Sequence, residues 1–139
     1  PEAEEVEVAI NPDDLKIARS LGKLGFHFLE WNAAIHYYRK MGYLSLVEKY
    51  FSPKHQHKKA VLEALLSPRL IRCIYSHSRR SRVQPPDLLV YAPDHSDWFF
   101  SEVKGPQDRL SKAQQAYFEE LGALSKKDYH IIRFRSIET

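Results

Sequence analysis

The sequence predicts a single α/β domain: a mixed sheet of about four strands flanked by helices, with a helical N-terminal part. Three observations carry that reading. The apolar pattern changes near residue 70, from helical spacing before it to short strand-like runs after it. Two of those runs, Asp87–Tyr91 and Trp98–Lys104, are joined by the turn chemistry of Ala92-Pro93-Asp94-His95-Ser96-Asp97 and read as a hairpin. A last run follows a helical stretch, and a strand–helix–strand succession implies a crossover to a parallel neighbour.

Taken in order, residues 1–11 are acidic without apolar period and read as a tail, with 12–139 as the domain. Asn11 or Asp13 caps a short helix over 13–21 that stops at Gly22. A longer helix over about 27–41 carries Leu29, Ala33, Tyr37 and Met41 on one stripe and ends at Gly42. Residues 45–51 read as a helical turn broken by Ser52-Pro53, and a helix over about 58–66 ends at Ser67-Pro68. Leu70–Tyr75 reads as a short strand with Cys73 in the core, and Ser76–Pro86 as a Ser/Arg-rich loop. Ser111 caps a helix over 112–121, and Tyr129–Phe134 is the final strand.

Composition excludes several classes. A content of 43% hydrophobic and 12% aromatic residues is too high for a disordered chain. One cysteine, Cys73, excludes an internal disulfide framework and a four-cysteine zinc site, and fits a reducing interior, cytoplasmic or, in a eukaryote, nuclear. No uncharged apolar run approaches membrane-spanning length and the N-terminus lacks a signal-peptide pattern, so no membrane partner is expected. The net charge of +3 is a remainder: residues 1–30 carry −4 and the rest +7. Most of the positive charge lies in residues 53–82, where Lys54, Lys58, Lys59, Arg69, Arg72, Arg79, Arg80 and Arg82 face only Glu63. Such a cluster is either a solvated surface or a phosphate-binding face.

If residues 92–97 form the hairpin loop, opposed positions sum to 189 and Asp87 stands opposite Glu102. Opposed residues share a face, and strand alternation adds Lys104 to it. Two carboxylates about 4 Å apart repel by about 4 kcal/mol at a surface-like dielectric. A raised pKa, solvent or a divalent cation relieves that repulsion, and Asp/Glu oxygens suit Mg²⁺ or Mn²⁺. The Val103 carbonyl would add a further oxygen, and Lys104 would orient a metal-activated water or stabilise developing charge. This is a pattern for phosphodiester hydrolysis; the plainer alternative is a cross-strand ion cluster.

Pro86-Asp87 followed by Glu102-Val103-Lys104 matches the PD-(D/E)xK nuclease signature. The extended run from Glu102 through Lys104-Gly105-Pro106-Gln107-Asp108-Arg109-Leu110-Ser111 to Gln114 resembles the VRR-NUC (virus-type replication-repair nuclease) domain over about residues 85–134. It is most similar to the version in Fanconi-associated nucleases. The resemblance implies a restriction-endonuclease-like core and Mg²⁺- or Mn²⁺-dependent cleavage of branched DNA, flap or Holliday-type, in repair or recombination. It implies metal binding by Asp87, Glu102 and the Val103 carbonyl, and a catalytic Lys104. A glutamate on the early helix is expected to assist metal or water; Glu30 fits, with Glu63 as a rival. Gln114 matches a glutamine on the helix after the E-x-K strand, and Ser111-x-x-Gln114 is also a capping box. The stretch 43–69 reads as a helical insertion relative to compact members, which are homodimers, so a homodimer is one option rather than a requirement.

Arg79, Arg80 and Arg82, with Lys58, Lys59, Arg109 and Lys112, are the candidate DNA contacts. His55-x-His57 lacks a third ligand at zinc spacing. Trp31, Tyr37, Tyr38 and Tyr43 lie at helical spacing and read as core before base-stacking platforms. Two alternatives compete with the enzyme: a DNA-binding module of the same fold that does not cut, and a helix-turn-helix regulator within 28–66. The second is weakened because Lys58–Leu66 is too apolar for a recognition helix.

Overall fold

A computed structural model describes residues 4–10, 23–47, 50–51, 56–80 and 83–136. The helix expected over 13–21, the Ser52-Pro53 break, His55 and Arg82 lie outside these residues. The chain runs β1 (Glu4–Ile10), α1 (Lys23–Met41), β2 (Leu44–Val47), α2 (Gln56–Leu65), α3 (Pro68–Arg80), β3 (Leu88–Tyr91), β4 (Trp98–Lys104), α4 (Lys112–Ser125) and β5 (His130–Ser136). The strands form one mixed sheet in the order β1-β5-β4-β3-β2. β4 and β5 are parallel across α4, as the crossover requires, while β3 pairs antiparallel with β4 and with β2.

Alternation along the strands sends side chains to two cores. On one face Leu89, Trp98 and Phe100 pack with Leu62 of α2, Leu70 and Ile74 of α3, and Tyr117, Phe118 and Leu121 of α4. On the other, Leu88, Val90, Phe99 and Ile132 pack under Ala33 and Tyr37 of α1. Full burial of a Leu or Phe such as Leu62 or Phe118 contributes about 1.5–3 kcal/mol. The architecture is the expected α/β sheet with flanking helices, in three layers.

Three segments depart from the sequence reading. Residues 4–10 are a strand rather than a tail, parallel to β5 in the register Val6↔Ile132 and Val8↔Phe134. The period-two signal was present, since Val6, Val8 and Ile10 alternate with Glu5, Glu7 and Ala9. Residues 45–47, read as part of a helical turn, belong to edge strand β2, so the stretch 43–69 is not wholly helical and contributes a strand to the sheet. Leu70–Tyr75 is helical: Ser67 Oγ accepts the Leu70 amide at 3.2 Å and Pro68 occupies the first turn. Ser67-Pro68 thus ends one helix and starts the next. Leu70 and Ile74, four apart, share a buried face, and Cys73 is half-buried on α3. The loop expected from Ser76 begins only after Arg80.

Candidate active site

The hairpin has the expected register, with Leu88 opposite Ser101 and Tyr91 opposite Trp98. Asp87 therefore emerges from β3 beside Glu102. Its amide donates to Glu102 Oε1 at 3.1 Å, and its own Oδ2 accepts the Val103 amide at 2.9 Å. Lys104 lies two residues on, its Nζ 3.2 Å from Glu102 Oε2. Gln114 of α4 donates from Nε2 to that same oxygen at 3.1 Å. Gln114 also closes the capping box with Ser111, so its two sequence readings hold together.

The proline before Asp87 has a structural consequence. Hydrogen-bonded pairs recur at every second position of an antiparallel ladder. The Ala92 amide bonds the Asp97 carbonyl, so the series runs through Val90–Phe99 to Leu88–Ser101, the last pair of the ladder. The Val103 amide turns to Asp87 Oδ2, and the Pro86 carbonyl accepts from buried Tyr50 at 2.7 Å. A proline at position 86 brings no backbone donor to this end of the hairpin.

Glu102 is buried. Loss of solvent first, then the charge and hydrogen bond of Asp87, push its carboxyl up to about 8, with Lys104 pulling the other way. The hydroxyl of Tyr50 is raised well above its ordinary value, first by burial and also by Tyr117, Asp87 and Glu102. Two acids held together around one buried position suit a hard cation with oxygen ligands. Among the described residues no group of three His, Cys, Asp or Glu side chains stands at metal-binding range. The protein ligands would then be Asp87, Glu102 and the Val103 carbonyl.

Glu30 belongs to a different layer. Alternation puts Glu102 and Lys104 on the α4 face of the sheet, whereas Glu30 rides on α1 across the opposite face. It is buried, with Oε2 3.4 Å from His27 Nδ1, and its neighbour Leu29 reaches Gly105 at the same end of β4. Glu63, the rival, is exposed and pairs with Lys59 at 4.0 Å along α2. Lys58 donates to the Val47 carbonyl at 2.5 Å, so its ammonium is engaged in joining α2 to β2. Arg109 and Lys112 are exposed around the start of α4. Arg79 and Arg80 end α3, ahead of the Asp87 strand.

Two supports were missed. Tyr50 lies in the misread 45–51 segment, and nothing local marks it as a partner of Pro86. Asp108 accepts the Gly105 amide at 2.9 Å, and Arg133 of β5 donates to the carbonyls of Gly105 and Asp108. A Cβ on Gly105 would lie 2.9 Å from that Asp108 oxygen, so glycine lets the loop close behind Lys104. The motif includes Gly105 and Asp108; the Arg133 contact is made only by the crossover.

No helix among the described residues is long and apolar enough to cross a membrane. No curated protein matches the sequence significantly. The sequence profile of the VRR-NUC domain matches residues 32–127, which takes in β2 to α4 and every member of the Asp87, Glu102, Lys104 and Gln114 group. The chain belongs to the VRR-NUC domain family, nuclease-type domains of the PD-(D/E)xK superfamily that act on DNA.

Proposed function

We propose that the protein is a Mg²⁺- or Mn²⁺-dependent endonuclease that hydrolyses phosphodiester bonds in branched DNA, in an intracellular repair or recombination setting. One observation carries the reading: Asp87, Glu102 and Lys104 converge at the end of one hairpin. A divalent cation, when bound, would neutralise phosphate charge and make a water nucleophilic. The chain's own residues supply the rest. Asp87 and Glu102 form the anionic seat, and Gln114 holds Glu102 Oε2 in place. Lys104 keeps a positive charge within reach of the reacting phosphate, where it orients the attacking water or offsets charge on the phosphoryl oxygens. Glu30, buried at the same end of the sheet, acts as an outlying carboxylate. Arg79, Arg80, Arg82, Arg109 and Lys112 grip the phosphate backbone without reading bases, with Lys59 beside them.

The test is a cleavage panel of single strand, duplex, flap and four-way junction with Mg²⁺ or Mn²⁺, run beside Glu102→Ala. Cleavage of a branched substrate, lost in Glu102→Ala, Asp87→Ala and Lys104→Ala, is the expected result. Wild-type rates in those variants would sink the assignment. Salt-sensitive binding with no product under any divalent ion would identify a non-cutting module of the same fold.

A further inference from the structure

Helix α1 is apolar on two sides. Ala33 and Tyr37 are buried against the sheet, yet Trp31, Ile35, Tyr38 and Met41 are exposed, and Leu44 extends the row at the start of edge strand β2. Positions 31, 35, 38 and 41 follow the i, i+4, i+7 spacing of one helix stripe. Isolated exposed apolar residues are ordinary, but a continuous row led by two aromatics is not. Trp31 is 55% exposed and Tyr38 59%, and neither ring meets another ring among the described residues.

The row is also oriented. Leu29 lies against Gly105, Tyr37 shares a 2.7 Å hydrogen bond with Ser101, and Tyr43 bonds Asp97, so α1 runs antiparallel to β4. Trp31 therefore stands at the catalytic end of β4, and Met41 about 15 Å further along the helix. The charges over residues 31–44 are Arg39 and Lys40 alone, both exposed and in no ion pair among the described residues. Exposed aromatic faces at intervals, with Arg39 beside them and no acid within residues 31–44, complement a chain of bases and phosphates. A protein partner would ask for an apolar centre with a rim of mixed sign.

We propose that the outward face of α1 seats unpaired single-stranded DNA, the arm of a branched substrate leaving the active site, with bases stacked on Trp31 and Tyr38 and a phosphate held by Arg39, which borders the same face. The proposal rests on the nucleic-acid reading above and deepens it. It divides the four aromatics of this segment: Tyr37 is core, Tyr43 is tied to Asp97, and Trp31 and Tyr38 are platforms.

The test is binding of oligothymidylate to the full chain in EDTA, so that cleavage plays no part. Affinities are read from the anisotropy of dye-labelled oligothymidylate in every variant; where Trp31 is present, quenching of its fluorescence reports the contact directly, because the other tryptophan, Trp98, is only 9% exposed. Trp31→Ala and Tyr38→Ala are each expected to weaken single-strand binding about tenfold, with duplex binding changed less than twofold. Tyr38→Phe retains binding, whereas Tyr38→Leu, apolar without a π face, does not. Arg39→Gln lowers the salt dependence by about 0.7 unit of slope, whereas Lys40→Gln, on the flank beside His36, changes it less. Unchanged oligothymidylate affinity in the Trp31→Ala, Tyr38→Ala double variant overturns the proposal, even if the protein cleaves branched DNA. A wild-type dimer that the double variant dissociates, with single-strand binding intact, assigns the face to a second copy and also overturns it. Binding as expected with no cleavage of any substrate leaves the seat standing and removes the nuclease reading.

Discussion

The Asp87 amide donates to Glu102 Oε1 across the hairpin while the two carboxyl groups also interact directly. Fifteen residues of sequence separate them, and the ladder register closes the gap. Without a cation this arrangement is frustrated, because burial and like charge both oppose ionisation of Glu102.

That frustration predicts a pH signature. The Glu102 carboxyl is raised from 4.5 to about 8 in the fold, so the unfolded chain releases this proton first as pH rises. Between about 4.5 and 8 the folded state binds more protons than the unfolded one. Its stability in EDTA therefore falls with pH, by at most about 1.4 kcal/mol per unit from this group, and levels above 8. Thermal melts from pH 5 to 9 are expected to lose that slope in Glu102→Gln. Mg²⁺ affinity, measured by calorimetry, should rise with pH toward 8 as the proton is displaced.

Lys104 is the nearest cation to Glu102. Lys104→Ala should lower the cleavage rate by about 10²–10³, the range for loss of one charge-stabilising group. DNA binding in Ca²⁺ is expected to change little. A single-turnover rate within threefold of wild type would remove Lys104 from the chemistry.

Gln114 serves two masters, the helix start and Glu102. Ser111→Ala removes the cap alone and should cost about 1 kcal/mol in urea melts. Gln114→Ala should cost a similar amount but also reduce cleavage, which Ser111→Ala leaves near wild type. Equal activity in the two variants would confine Gln114 to capping.

Tyr50 holds the Pro86 carbonyl from a fully buried position. Tyr50→Phe leaves that carbonyl unsatisfied and should destabilise the fold by about 1–3 kcal/mol. Because Asp87 is the next residue, the Mg²⁺ concentration for half-maximal cleavage should also rise, while DNA affinity stays level. An unchanged metal requirement would make Tyr50 purely structural.

The hairpin was legible because six turn residues between two apolar runs leave few registers, and the register alone sets Asp87 beside Glu102. The Ser111–Gln114 capping box was legible because capping is local, encoded within four residues, whereas Gln114's place beside Glu102 was an expectation from the VRR-NUC resemblance alone. Leu70–Tyr75 was misread because a six-residue apolar run fits a strand or one face of a helix, and Ser67-Pro68 was taken only as a stop. β2 was misread because four residues hold too little periodicity to decide.

By itself, then, the sequence determined two local geometries: an acid pair and a lysine at a spacing that the hairpin register brings together, and the Ser111–Gln114 capping box. The tertiary structure decided what depends on which face of the sheet an element covers. It carried Glu30 to the far face, brought Tyr50 to the Pro86 carbonyl and Arg133 to the Gly105 loop, buried Tyr37 and left Trp31 and Tyr38 outside. Those outcomes arise from packing between distant segments, where side-chain period names the apolar face of a helix but not the layer that receives it.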